Sequence, residues 1–103
     1  MPQYFMAYRG GRRPASKEEG IAHMTKWRAW VAACGDALQG SGTMLKNTKT
    51  VSTSGVQDTA DPMPGFSILQ ADSLEKALEI ARKCPHLDLE GTIDVAEMQE
   101  MPS

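Results

Sequence analysis

Two histidines, His23 and His86, are the side chains of this 103-residue sequence best suited to proton transfer near neutral pH. His23 lies four residues before Trp27 and seven before Trp30, so on a helix it occupies the shoulder of an aromatic stripe. A partly desolvated imidazole there can act as an acid or a base, and simple packing on Trp27 is the alternative. His86 follows Pro85 at the end of a predicted helix, where it either binds a ligand or caps the helix C-terminus.

Carboxylates that could assist a histidine occur at three positions. Asp36 follows the first predicted helix and could orient the ring of His23, because a carboxylate on one ring nitrogen fixes the tautomer of the other. Thirteen residues separate the two, about 20 Å along a straight helix, so their contact requires a partner subunit or a reoriented loop. Asp94 and Glu97 face opposite sides of the last predicted strand, and whichever points into a dimer interior is poorly solvated.

Three aromatic residues are candidates for the wall of a ligand cavity. Tyr4 and Tyr8 share one face of the first predicted strand with Met6, and with Trp27 they could supply apolar surface and hydroxyl donors. Packing in the core or at an interface is the alternative. The sequence contains no nucleophile elbow, phosphate-binding glycine loop or metal-ligand spacing. We therefore expect no cofactor and no metal, and either cofactor-free acid/base chemistry or binding alone.

The first strand and the first helix position most of these residues. Alternation over residues 3–9, followed by two glycines, predicts a strand. Ser16 and Glu19 have capping-box spacing, which predicts a helix from there to Gly35. The residues of this helix expected to face a sheet recur at helical spacing and are Gly20, Met24, Trp27, Val31 and Cys34.

The rest of the chain predicts three further strands and a second helix. Residues 37–52 indicate an interrupted second strand, although the valines on either side of a Ser-Gly turn could close a small hairpin. Residues 65–71 indicate a third strand, and Asp72 is the predicted N-cap of the second helix. Residues 92–101 indicate the last strand. The expected buried face of the second helix comprises Leu74, Ala77, Leu78, Ala81 and Cys84.

The resulting order, β-α-β-β-α-β, predicts one α+β domain over residues 1–103, with a ferredoxin-like antiparallel sheet and two helices on one face. Several strands carry apolar residues on both faces, while only two helices exist to cover them. One face of the sheet would stay exposed and apolar in a monomer. We therefore expect a homodimer in which a second copy of the chain covers that face.

Charge and hydropathy exclude several classes of partner. The net charge is −2 with acidic and basic residues interleaved, which gives no electrostatic footprint for nucleic acid. The short basic cluster at 9–13 lies in a glycine-rich turn. It is either a solvated loop or a contact for an anionic ligand. No apolar run approaches the ~18 residues of a membrane span. With two cysteines outside any Cys-x-x-Cys spacing, we expect a cytoplasmic protein with reduced thiols.

Several short motifs occur along the chain in a fixed order and spacing. They are residues 4–8 (Tyr-Phe-Met-Ala-Tyr), His23, Gly65-Phe66, residues 71–77, Cys84-Pro85 and residues 91–95. In these features the sequence resembles the YCII-related family, also called the DGPF family. The resemblance implies a dimeric α/β barrel built from two ferredoxin-like subunits. Some members are suggested to be small-molecule enzymes with a His-Asp pair, and one relative resembles a dehydrochlorinase of aromatic-compound breakdown.

One departure from the family pattern limits what the resemblance implies. The Asp-Gly-Pro-Phe motif of the longer branch is absent, and residues 61–66 (Asp-Pro-Met-Pro-Gly-Phe) occupy its place. The chain therefore resembles the shorter branch, and functions suggested for the longer one do not carry over. The resemblance implies a small organic ligand and His23 as the acid or base. The alternative is a non-catalytic dimerisation or ligand-sensing module.

Overall fold

Six strands and two helices occur in the computed structural model, which describes residues 1–40 and 42–99. The elements are β1 (Gln3–Gly10), α1 (Lys17–Cys34), β2 (Thr43–Met44), β3 (Lys49–Ser52), β4 (Gly55–Asp58), β5 (Gly65–Gln70), α2 (Leu74–Arg82) and β6 (Gly91–Glu97). Two short 3₁₀ helices, Gly35–Ala37 and Pro85–Leu89, follow α1 and α2. The predicted α+β class is confirmed. Residues 100 and 101, which were predicted to extend the last strand, lie outside the described residues.

The long strands form one antiparallel sheet in the order β2-β5-β1-β6. β1 is its central strand, and Met6 lies opposite both Ser67 of β5 and Val95 of β6. β2 adds only two residues at the edge, where a bridge between Leu38 and Leu69 continues the pairing. This is the strand order of the predicted ferredoxin-like arrangement, with one helix after β1 and another after β5.

The two faces of this sheet have different surroundings. On the covered face Tyr4, Met6 and Tyr8 are 2%, 0% and 3% exposed and pack in one core with buried residues of both helices. Successive side chains of a strand point to opposite faces, so the intervening residues form a second surface, called here the open face. The open face includes Phe5, Ala7 and Arg9 of β1, Phe66 and Ile68 of β5, and Thr92, Asp94 and Ala96 of β6.

Helix α1 begins at the predicted cap and turns most of the predicted stripe toward the core. The Ser16 Oγ accepts the N–H of Glu19 at 3.0 Å, as expected. Trp30 is buried and its indole N–H donates to the Ile80 carbonyl at 3.1 Å, which ties α1 to α2. Met24 is 47% exposed, so the prediction that it faces the sheet is wrong. Trp27, Val31 and Cys34 of the predicted stripe pack against the core as expected, and Trp30 is the buried residue beside them.

Helix α2 begins one residue later than predicted. Ser73 is the N-cap, because its backbone is extended and its Oγ accepts the N–H of Lys76 at 3.2 Å. The prediction of Asp72 as the cap is therefore wrong. The expected face is confirmed for Ala77, Ala81 and Cys84, which are all buried. The expectation is wrong for Leu74 and Leu78, which are 44% and 39% exposed.

The segment from 45 to 64 leaves the sheet as a projecting hairpin, called here the arm. The N–H of Leu45 donates to the carbonyl of Pro64 at 2.9 Å and closes its base. Strands β3 and β4 pair only with each other among the described residues, and Val51 lies opposite Val56. The hairpin prediction is confirmed, and the assignment of residues 49–52 to the second strand is wrong. A two-residue turn joins β3 to β4, so β3 pairs with β4 and not with a strand of the main sheet.

The described residues form a thin slab. Its principal extents are 44 × 39 × 19 Å, and its radius of gyration is 15.3 Å, against about 13 Å for a compact domain of about 100 residues. The 19 Å dimension has room for one sheet and one layer of helices, which packs at roughly 10 Å. The arm therefore extends within the plane of the slab.

No helix in the described part of the chain is long and apolar enough to cross a membrane.

Candidate functional site

A cleft of about 180 Å³ lies where α1, the loop before it and the 3₁₀ helix Pro85–Leu89 meet. His23 reaches it from the second turn of α1 and is half-buried. Its ring lies 6.0 Å from the ring of Trp27, the contact that the four-residue spacing predicts. The cleft therefore holds an imidazole, a possible acid or base, beside an aromatic surface. The side chains around it are Arg12, Glu19, Ala22, His23, Lys26, Asp88 and Leu89.

The charges that line this cleft balance in pairs. Arg12 donates from Nη1 to Glu19 Oε1 at 2.5 Å, and Lys26 Nζ lies 3.6 Å from Asp88 Oδ2. Glu90 approaches Arg12 from the rim, with 3.8 Å between its Oε2 and the guanidinium Nε. Because these side chains are partly exposed, the pairs contribute little to stability, but they leave the cleft without a strong field of either sign.

Glu19 is the carboxylate that the sequence reasoning missed as a neighbour of His23. It lies one turn before His23 on the same helix and lines the same cleft. The hydrogen bond from Arg12, the N–H of Ala15 and the charges of Arg12 and His23 together hold the pKa of Glu19 below its usual range. This carboxylate is therefore ionised near neutral pH. The i, i+4 spacing of Glu19 and His23 was a signal in the sequence, but Glu19 was assigned only to the helix cap.

An aromatic cluster continues from this cleft into the core. The ring of Tyr8 lies 5.5 Å from Trp27 and 5.2 Å from His86, and Trp27 lies 5.5 Å from Trp30. Through Trp27, His23 joins the same chain of ring contacts. Four of the predicted site residues are thus brought together, although only His23 lines the cleft.

His86 occupies a tight niche rather than the end of α2. The residue lies in the 3₁₀ helix that follows α2. Its Nε2 lies 2.9 Å from the carbonyl oxygen of Arg9 in β1. Gly11 and Gly91 leave room for the ring, because a Cβ at Gly91 would overlap it and one at Gly11 would come within 3.0 Å. The expected alternative, a cap on the carbonyls of α2, is wrong because His86 bonds to β1. Its role in ligand binding stays a prediction.

Tyr8 and Cys84 form the polar part of the core below the cleft. The Tyr8 hydroxyl lies 2.5 Å from Ser67 Oγ, and burial raises the pKa of Tyr8, so the hydroxyl stays neutral. Burial likewise raises the pKa of Cys84 to about 11, which keeps its thiol protonated. Neither group is poised as a nucleophile. Neither Cys84 nor Cys34 forms a disulfide.

Four other predicted site residues lie away from the cleft. Asp36 is exposed beyond the end of α1, which runs unbroken from His23 to Cys34 and so separates the two by about 16 Å of helix rise within one chain. Tyr4 is buried in the core, Glu97 lies opposite it on the covered side, and Asp94 is exposed on the open face beside Ala7. A second chain would be needed to bring these groups into a common site.

A second cleft, of about 150 Å³, runs between α2 and β6. Leu78, Ala81 and Leu87 line it together with Ile93 and Val95. Its polar side chain is Arg82, an unsuitable base because a guanidinium stays protonated. This cleft offers apolar contact, and the cleft at His23 remains the better candidate for chemistry.

Comparison with known proteins agrees with this architecture. The family model described as the YCII-related domain matches residues 6–102. A similar solved structure is 5-chloro-2-hydroxyhydroquinone dehydrochlorinase from Burkholderia phenoliruptrix AC1100, in complex with 2,5-dihydroxybenzoquinone. The two chains are 20% identical with a TM-score of 0.57, over 95% of each, which establishes a common fold. None of the curated proteins matches the sequence significantly. With nearly its whole length matched, this chain belongs to the YCII-related family.

Proposed function

We propose that this protein is a homodimer that binds a small organic molecule in the His23 cleft and transfers a proton on it without a cofactor. The observation that carries the proposal is the position of His23, half-buried in an open cleft between the Trp27 ring and the ionised Glu19. An imidazole beside a carboxylate and partly shielded from bulk water suits general acid/base catalysis.

The reaction class is proton transfer or elimination with His23 as the base. In an elimination, the imidazole takes a proton from carbon, the C–H electron pair becomes the new C=C bond, and the leaving group departs with its own bonding pair. Arg12 and Lys26 lie near enough to the cleft to stabilise the departing anion. The ligand of the structural neighbour, a hydroxylated quinone, supports a flat and weakly charged substrate, because such a ring can stack on Trp27 and suits the balanced charges of the cleft.

The homodimer is supported by the open face of the sheet. Phe5 and Phe66 stack there with ring centroids 5.1 Å apart, and Ala7 and Ile68 continue the apolar surface. A second copy placed face to face would remove these side chains from water. It could also bring its Asp36, Asp94 or Glu97 toward His23. The two free cysteines support a cytoplasmic location.

Replacement of His23 by Gln tests the proposal, since glutamine keeps a polar side chain of similar length but not the proton affinity. Hydroxylated quinones and their chlorinated hydroquinone precursors, including 2,5-dihydroxybenzoquinone, serve as probes, followed by absorbance and calorimetry. We expect turnover to fall by about 100-fold or more while affinity changes little. Met24→Gln, next on the helix and outside the cleft, is the control. Equal turnover in the two variants would contradict a catalytic role for His23.

A non-catalytic ligand-sensing module is the second candidate. The separation of His23 from Asp36 within one chain favours it, because the His-Asp pair is incomplete there. This candidate predicts that the same probes bind without being converted, and that His23→Gln alters only the affinity while Met24→Gln leaves it unchanged.

A further inference from the structure

The chain that leaves β1 carries Arg12 to the His23 cleft through two glycines. Gly10 and Gly11 have φ angles of +60° and +93°, in the left-handed region that glycine adopts without steric cost. Glycine also has many other conformations open to it, so holding the pair in one of them costs more entropy than for other residues. Arg12 follows directly, and its guanidinium donates to Glu19 at the cleft. The position of Arg12 therefore depends on contacts made outside the two glycines.

Those contacts come from the 3₁₀ helix Pro85–Leu89. The N–H of Arg12 donates to the Leu89 carbonyl at 2.7 Å, after the glycines. Before the glycines, Nε2 of His86 lies 2.9 Å from the carbonyl oxygen of Arg9. A carbonyl oxygen can only accept, so Nε2 carries the proton and donates it. The chain is thus bonded to the same short helix on both sides of the flexible pair.

The ring of His86 also fills the space between two backbone segments. A Cβ built on Gly91 would overlap the ring, and one on Gly11 would lie 3.0 Å from Cε1. The Tyr8 ring packs beside it, with 5.2 Å between the ring centroids. Because φ of Gly91 is not positive, an alanine there would meet the ring without backbone strain. The absence of a side chain at this position therefore serves to admit the imidazole.

This niche separates His86 from the cleft that Arg12 lines. Among the described residues, the side chains of the two clefts include Arg12 but not His86. The Nε2 of His86 is already bonded, and the backbone of two glycines lies against the ring. An effect of His86 on a ligand beside His23 therefore passes through segment 9–13.

We infer that His86 is a positioning residue, which holds segment 9–13 against the 3₁₀ helix so that Arg12 stays at the cleft beside Glu19. The consequence for catalysis rests on the proposed function, in which Arg12 stabilises the departing anion. A guanidinium that is no longer held in place stabilises the charge of the transition state less, while the apolar contacts of the bound ring remain.

His86→Phe and His86→Gln test the inference together, since phenylalanine keeps a ring without a donor and glutamine keeps a donor. We expect amide exchange at the Arg12 N–H, followed by NMR, to be about 5–10-fold faster in His86→Phe and closer to wild type in His86→Gln. With the hydroxylated quinone and hydroquinone probes, kcat of His86→Phe should fall by about 10-fold while KM changes less. Leu87→Gln is the matched control, because Leu87 is the next residue of the same helix, exposed and outside the His23 cleft. It should leave the exchange at Arg12 and kcat unchanged.

Gly91→Ala tests the niche with His86 still present. The added Cβ displaces the ring, so this variant should also speed exchange at Arg12, and it should add no further effect in a His86→Ala background. A further effect in that background, or equal exchange in His86→Phe and Leu87→Gln, would overturn the positioning role.

Two further outcomes separate this inference from the proposed function. Faster exchange at Arg12 with an unchanged kcat would overturn the consequence of the positioning for catalysis. A wild-type protein that converts none of the probes would contradict the proposed reaction, and exchange at Arg12, which needs no substrate, would still decide whether His86 holds the segment.

Discussion

The covered and open faces of the sheet are built by alternate residues of the same strands. Along β1, Met6 is fully buried beneath the helices, while its neighbour Phe5 stays half-exposed although it is the larger apolar side chain. The hydrophobicity of the two side chains does not explain why one is buried and the other is not. The difference comes from the helices, which both pack on one side. Burial in this chain is therefore set by topology, and the open face remains available for a partner.

The two faces also contribute to stability in different ways. Contacts on the covered face lie within one chain, so their contribution is independent of protein concentration. In the proposed homodimer, contacts between the open face and a second copy would stabilise the fold only when the dimer forms, and their contribution would grow with concentration. The effects of substitutions on the two faces on the free energy of unfolding should therefore differ in their dependence on protein concentration.

Met6→Ala should give the largest effect. Truncation of this fully buried side chain leaves a cavity beside Tyr4 and Tyr8, and we expect a loss of about 2–5 kcal/mol in the free energy of unfolding. Urea denaturation in dilute solution measures it. Ile68→Ala on the open face is the counterpart and should cost less than half as much at that dilution. Equal losses would mean that the open face is covered within one chain.

Phe5→Thr should act mainly on association. Threonine keeps the strand preference of a β-branched residue but removes the ring that stacks on Phe66. Each dimer loses two such rings, so we expect its dissociation constant to rise by about 100-fold. Analytical ultracentrifugation gives the constant, with Thr92→Ser, elsewhere on this face, as the control. A dissociation constant that does not change would place the partner on another surface.

Tyr8→Phe should have the smallest effect and an identifiable pH dependence. The variant leaves the buried Ser67 Oγ without its partner, at a cost of about 1–2 kcal/mol near neutral pH. The pKa of Tyr8 is raised on folding, so its neutral hydroxyl contributes stability that is present below about pH 10 and lost as the pH rises further. The alkaline decline in stability should therefore be shallower in the variant.

Denaturation curves from pH 7 to pH 11 would measure both changes. Tyr4→Phe, on the same face but without a hydrogen bond to a described residue, should cost less at neutral pH. A larger loss for Tyr4→Phe would contradict the assignment of Tyr8 as the polar anchor of this core.

Local patterns predicted most of the fold. Alternation located β1 and β5, and the spacing of Ser16 and Glu19 located the start of α1. The errors fall where two local signals compete. Asp72 and Ser73 are both good caps, and only the backbone angles of Ser73 decide between them. Residues 49–52 have the composition of a strand, but the sequence of this segment does not show which strand it pairs with. That choice depends on the turn that follows and on the distance to the other strands in the folded chain.

The candidate site was less predictable because it depends on contacts between elements. The separation of His23 from Asp36 was predicted from helix rise alone, and α1 runs unbroken from His23 to Cys34, as that prediction requires. The place of His86 depends on the close approach of three backbone segments, at Arg9, Gly11 and Gly91. Side-chain periodicity carries no information on such an approach. The roles of the predicted site residues remain predictions that the variants above can test.

The central position of β1 has a consequence for folding during synthesis. Its two neighbours, β5 and β6, are encoded more than 50 residues later, so at about 5–20 residues per second the first strand waits on the order of 3–10 s for a partner. During that interval Tyr4, Met6 and Phe5 are exposed on an unpaired strand with two free edges. Helix α1 is the next element to emerge, and it is the first that can cover the core side of this strand before β5 and β6 arrive.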